Sequence, residues 1–370
     1  MANAKGANGS SSSSINTGLL PSWLTVGAKT RQNDLDVAWA ISFQPGASSA
    51  HGLQGGGGSE FRQAYMTFGD ASWGSVKLGK DLGVFGSDAI LNDMTLLGVG
   101  SQGIVGATGG TTTTLGRIGA GFIYADFLGQ INYTTPNWNG FSATVGIEQP
   151  WTSVNLAGNN TDGGSAAGLS GAVTGNQKAP AFSGKVSYAF SANDVTGKVW
   201  AEFKSQKADG IVSATTSSGS GAATVRTASA TVSDTSTVFG LGANVAVAGF
   251  TAVGYYYSGE GVGTTSFLAD GYSATGKSRD SDGGYVQATY ALPGVGTKLG
   301  ASWGISNLDR ASGEAASNLV KENEMWTVGA YHPLTKSVNL VAEYSNVKST
   351  NHNNQENQSN IVSLGGILFF

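Results

Sequence analysis

The lengths of the connections between its apolar runs constrain this chain more than any single motif. Fifteen strand-like runs are legible, at 22–29, 35–43, 60–68, 75–80, 129–135 (or a run starting near Leu115), 141–149, 182–190, 195–204, 236–247, 250–258, 284–291, 297–305, 323–331, 337–346 and 361–370. The gaps between them alternate. Short ones fall at 30–34, 69–74, 136–140, 191–194, 248–249, 292–296 and 332–336; long ones at 44–59, 81–113, 150–181, 205–235, 259–283, 306–322 and 347–360. Strict alternation of tight turns and long polar loops is the signature of an antiparallel up-and-down β-barrel that crosses a membrane, with turns on one side and loops on the other. A sandwich with Greek-key crossings does not keep such order.

The runs themselves have period 2. In 35–43, Leu35, Val37, Trp39, Ile41 and Phe43 take every second place, and Asp36, Ala38, Ala40 and Ser42 the others. That is a strand with one apolar face. Aromatic residues crowd the strand ends, among them Trp39, Phe43, Tyr188, Tyr255, Tyr256, Tyr257, Tyr290, Tyr331 and Tyr344. Girdles at two membrane interfaces place them so, and ordinary strand preference also enriches them.

Composition agrees with this reading. Mean hydropathy is −0.06 and no run reaches the ~20 apolar residues of a membrane helix. A barrel that alternates lipid-facing and lumen-facing residues has such an average. Twenty Lys and Arg against 24 Asp and Glu give a formal charge of −4, without the basic surplus of a nucleic-acid binder. There is no Cys, and MANAKGANG lacks the apolar core of a signal peptide. The glycine run at 55–58 is not followed by the Lys-Ser/Thr of a phosphate loop. The three histidines, His51, His332 and His352, have neither metal-ligand nor nucleophile spacing, and DSDGG at 280–284 lacks the closing Glu of a calcium loop. No cofactor, metal or catalytic group is expected. An enzyme and a surface adhesin remain the alternatives to a channel.

The segment 81–113 is too long for an ordinary connection. It is also apolar in part: Leu82, Val84, Phe85, Ile90, Leu91, Met94, Leu96, Leu97 and Val99 call for burial. In a wide barrel it is expected to fold inward and narrow the hole.

The motifs FRQAYMTF, WGSVKLGKDLGVFGSDAILNDM and LGRIG around this segment, with Phe370 at the C-terminus, resemble the constriction region of the general bacterial outer-membrane porins. The resemblance implies a single sixteen-stranded barrel over 1–370 in the outer membrane. It also implies a homotrimer, passing small hydrophilic solutes and ions, with outer-membrane lipid around it; a narrower, substrate-specific outer-membrane channel is the alternative. It places Arg62 and Arg117, with Lys77 and Lys80, on the basic wall of the constriction, and Asp88 and Asp93 on the inward loop. Leu97 stands where the family has a further acid, so weak anion preference or near neutrality is expected. The family's first strand precedes a loop like residues 1–21. That stretch is therefore expected to be a flexible external loop, with the first strand missing from this chain. GRIG resembles a strand start of the family and YTTPNWNGF its strand–turn–strand at this point, which leaves the register after the inner segment open between 115–117 and 129–135.

Overall fold

The computed structural model describes residues 2–6, 11–45, 59–104, 107–108, 113–151, 172–174, 177–216 and 225–370. Within them, fifteen antiparallel strands follow one another, each paired to the next. They are Leu24–Gln32, Leu35–Pro45, Ala64–Asp70, Gly74–Leu82, Phe127–Thr134, Phe141–Glu148, Ala181–Ala192, Val195–Thr216, Val225–Val247, Phe250–Glu260, Asp280–Ala291, Lys298–Leu308, Val320–Pro333, Val338–Asn351 and Glu356–Leu368. The strand after the inner segment is Phe127–Thr134, which settles the register: residues 113–126 belong to the inner segment. The tight turns use left-handed backbone where the chain must reverse in two residues, as at Asn33 (φ 49°) and Asp34 (φ 60°). Such turns match the twist of the strands they join.

The wall is built inside out relative to a water-soluble protein. Leu241 is 62% exposed, and Ile41, Ile131, Val145, Phe239, Val286 and Leu364 are exposed with it. Their strand neighbours Ser42, Gln130, Asn132, Gln287 and Ser363 are buried, as are Ser302, Thr327 and Glu343 on other strands. Alternate residues of a strand face opposite ways, so the apolar face looks outward, as lipid requires, and the polar face inward.

Three sequence expectations change. Val195–Thr216 and Val225–Val247 are far longer than the ~9–11 residues that cross a bilayer. Much of the expected 205–235 loop is thus a paired hairpin. Its Ser, Thr and Ala carry no apolar alternation, so period alone does not reveal it. Residues 1–21 are not simply a loop. Ala2–Gly6 pairs with Ser359–Ser363 of the last strand, and on its other side Ala2–Lys5 pairs with Ser11–Ser14. Further on, the Leu19 amide donates to Gly98 O (3.1 Å) and the Thr114 amide to Gly18 O (3.2 Å), fixing this stretch to the inner segment. Among the described residues, Leu24–Gln32 is paired along one side only. Thirdly, the tyrosines are not all girdle residues. Tyr256 is exposed, whereas Tyr255, Tyr257, Tyr285 and Tyr331 are buried on the inner face. His51 and the glycine run at 55–58 lie outside the described residues.

Candidate functional site

From Gly83 onward the chain turns into the barrel. It forms the short helix Ser87–Asn92 and the 3-10 turn Met94–Leu97. Val84, Phe85, Ile90, Met94 and Val99 are buried, as their apolar character demands. Phe85, Ala89, Ile90, Ile118, Phe122 and Ile123 pack on Trp200, Tyr255, Tyr285 and Met325 of the wall. The Phe122 and Tyr285 rings lie 5.8 Å apart. The interior is therefore dry on the side where the segment leans.

An inward segment brings backbone N–H groups away from water, and each needs an acceptor. The wall supplies them. Glu148 accepts from the Val84 amide (2.7 Å) and Glu202 from Gly86 (3.0 Å). Gln287 Oε1 accepts from Met94 (2.6 Å), and Glu343 accepts from both Val99 and Gly100 (2.8 Å each). Glu148 is also paired with Lys204 (2.8 Å) and bonded by Ser183 (2.7 Å). Gly98 is required by this grip, since a Cβ there would collide with Glu343 Oε1. Sequence reasoning missed these anchors. A lone Glu in an alternating strand looks like any lumen-facing polar residue, and only the approach of the segment gives it a partner.

The expected constriction residues are distributed differently from the expectation. Asp88 stands between two wall lysines, Lys185 (2.7 Å) and Lys198 (2.5 Å). Burial works against its ionised form, but the two lysines outweigh burial and hold the carboxyl below its ordinary range. Asp93 and Arg117 meet each other, Nε to Oδ1 at 3.9 Å, and both side chains are fully buried. Asp93 caps the 3-10 turn, accepting from the Thr95 amide (3.0 Å) and hydroxyl (2.5 Å). Arg117 donates to Met325 O (2.9 Å) and to Ser302 Oγ. Burial raises the Asp93 carboxyl and lowers the Arg117 guanidinium, each against the pull of its partner. These two hold the segment together and do not line an aqueous gap.

Lys80 stands on the other face of its strand. The register aligns Met66, Leu78 and Ile131 on one face, and Lys80, two residues beyond Leu78 and opposite Ala64 and Gly129, shares it. It is exposed on the outward side, where a lysine is accommodated by laying its stem along apolar surface and its ammonium toward water. Lys77 has the opposite parity and pairs inside with Asp81. Arg62 would share the outward face of Ala64 if the strand were regular. It is not regular: between the pairs Ile41↔Ala64 and Gln44↔Glu60, three residues oppose two. Such a bulge re-aims side chains. Arg62 is half-buried, its guanidinium 5.5 Å from the centre of the Phe127 ring.

Against the opposite wall the segment leaves a cavity of about 990 Å³. Arg62, Lys77, Lys185, Asp81 and Asp126 carry its charges, and Asn132, Thr134 and Thr144 add neutral polar groups. Burial raises the Asp126 carboxyl, opposed first by the Phe127 amide and then by the charges of Lys204, Lys80 and Arg62. Among the described residues no three His, Asp or Glu side chains converge as metal ligands.

No curated protein matches the chain by sequence. Solved structures do match its fold. The outer membrane channel DcaP of Acinetobacter baumannii is 14% identical, with 95% of this chain and 85% of that one covered and a TM-score of 0.61. The anion-selective porin from Comamonas acidovorans is 13% identical, covering 100% and 97% at a TM-score of 0.60. The trimer form of OmpT, an outer membrane protein of Vibrio cholerae, is 14% identical, covering 99% and 96% at 0.57. The family model for Gram-negative porins matches residues 2–352. With its lipid-facing wall of fifteen successive strands and the segment folded within it, the chain belongs to the Gram-negative porin family.

Proposed function

We propose that the gap between the inner segment and the wall strands Gly74–Leu82, Phe127–Thr134, Phe141–Glu148, Ala181–Ala192 and Val195–Thr216 is the constriction of the channel. The protein is an outer-membrane porin, a water-filled barrel for the diffusion of solutes, and porin membership implies a channel rather than an enzyme. The finer reading concerns which charges a passing solute meets. In it Arg62, Lys77, Lys185 and Lys198 face Asp81, Asp88 and Asp126. Arg117, Asp93 and Lys80 have no part in selectivity. The observation that carries this is the one-sided packing of the segment, which leaves a charged cavity of about 990 Å³ on the other side. Charges at such a gap tune which ions pass. One net cation predicts a small anion preference despite the acidic whole.

The test is the reversal potential of single channels in a salt gradient. Lys185→Gln and Lys198→Gln are expected to move it toward cations at ~0.1 M salt, where the Debye length is ~10 Å, and less at 1 M, where it is ~3 Å. Reversal potentials unmoved at low salt in both variants would remove the lysines from the constriction. Small hydrophilic solutes and ions are the cargo in this reading, and lipid surrounds the apolar band. The single barrel is taken to assemble as a homotrimer, supported by the trimeric OmpT neighbour. Native mass measurement in detergent decides that point.

A further inference from the structure

The constriction is not uniformly hydrophilic. Leu91, on the helix Ser87–Asn92, is 59% exposed, although the segment's other large apolar residues whose side chains are described are covered or half-covered. It lines the cavity with Leu96, also part-exposed. The same cavity holds Trp23 and Phe127, whose rings are 5.8 Å apart at 52°, and the Arg62 guanidinium lies over the second of them. Lys77 and Lys185 stand on the wall of this cavity, paired with Asp81 and Asp88, and Asp126 lies there too. A leucine facing a water-filled gap gives nothing to a hydrated inorganic ion. Together with rings and a guanidinium it makes a surface with two complementary parts: the Arg62 charge for a carboxylate, and aliphatic and aromatic faces for an apolar body. A cavity of about 990 Å³ is within the ~300–1,000 Å³ of small-molecule sites, which share this pattern of apolar lining with a few placed polar groups.

We propose that the channel selects amphipathic organic anions, monocarboxylates bearing an aromatic or branched aliphatic body, over hydrophilic anions of similar size. The positive charge of the Arg62 guanidinium attracts the carboxylate, and Leu91, Trp23 and Phe127 take the body. Each methylene removed from water contributes roughly fourfold in occupancy, so partial shielding of a phenyl ring gives a preference of several-fold. The inference rests on the constriction reading above, and the experiment separates the two.

Wild-type channels in a planar bilayer in KCl are titrated from one side with sodium benzoate, sodium gluconate or benzylamine hydrochloride, and the block of the chloride current is read. Benzoate is expected to reach half-block at a concentration about fivefold or more below both others. Arg62→Gln should bring benzoate to the level of benzylamine. Leu91→Asn, a change at an exposed position, should close most of the gap between benzoate and gluconate. If KCl channels open normally but benzoate blocks no better than gluconate, or no better than benzylamine, the proposal is overturned and the constriction reading stands. If the wild-type protein opens no channels in KCl, both fall.

Discussion

Asp93 and Arg117 show how burial decides what a charge does. Side by side in sequence terms with Asp88, Asp93 reads as one more acid on an inward loop. Its carboxylate is spent on the Thr95 amide and hydroxyl and on a fully buried arginine. Removing one member of a buried pair leaves the other uncompensated, at a cost of about 3 kcal/mol or more. Asp93→Asn is therefore expected to lower the thermal unfolding temperature of the refolded protein while hardly moving the reversal potential. Asp93→Asn combined with Arg117→Met should recover much of the lost stability, because the stranded cation is gone. A large shift of reversal potential in the single variant, with stability unchanged, would return Asp93 to the pore. Asp88 differs from Asp93 in one respect that matters: its partners are lysines of the wall, partly open to water. Its folded pKa is depressed, so the attachment it provides is fully present above the ordinary carboxylate value of 3.8 and is lost only as pH falls below it.

At the scale of elements, the inner segment is held by wall side chains on several strands, not by its own regular structure. A six-residue helix and a four-residue turn are too short to be stable alone. Glu343 is the most instructive anchor, since it accepts from two successive amides and from the Tyr331 hydroxyl (2.6 Å). Glu343→Leu leaves buried N–H donors without an acceptor, each costing about 1–3 kcal/mol. Hydrogen exchange at residues 98–101 is expected to accelerate by one or two orders of magnitude, and the open-channel current to become noisier, with the barrel still assembled. Unchanged exchange there would mean that the apolar packing of Phe85, Ile90 and Phe122 holds the segment by itself. The same element explains why the site was only half legible. Apolar residues in a long loop announced burial, and five of them are buried. Which wall residues would receive them depended on where the segment crosses the barrel.

For the whole molecule, the environment is reversed: lipid outside, polar side chains and a buried segment inside. A cation on the outward face near the bilayer midplane costs ~2–4 kcal/mol, whereas the lumen tolerates charge. Leu241→Arg is expected to reduce the folded fraction of refolded barrel and lower its denaturation midpoint accordingly. Thr144→Lys, a change at the cavity, should fold normally and alter conductance. Equal folding of the two variants would contradict the assignment of faces. The last strand follows the same rule, with Val362, Leu364 and Leu368 all at least half exposed.

The sequence by itself determined the architecture. Period-2 alternation fixes which residues of a strand share a face, and alternating connection lengths fix that neighbours in sequence are neighbours in the wall. Both are local properties, so they survive without coordinates. It also showed that the long segment must bury apolar side chains. Tertiary structure alone decided the rest, because each remaining question turned on a contact between distant parts of the chain. A one-residue bulge re-aims Arg62, an unbroken register sends Lys80 outward, and a polar hairpin without apolar alternation extends two strands beyond the expected length. Asp93 and Arg117, 24 positions apart, become a buried pair because the segment folds back on itself. Charge type can be read from a sequence, but the water around a charge cannot, and that water decides whether it guides a solute or holds a loop.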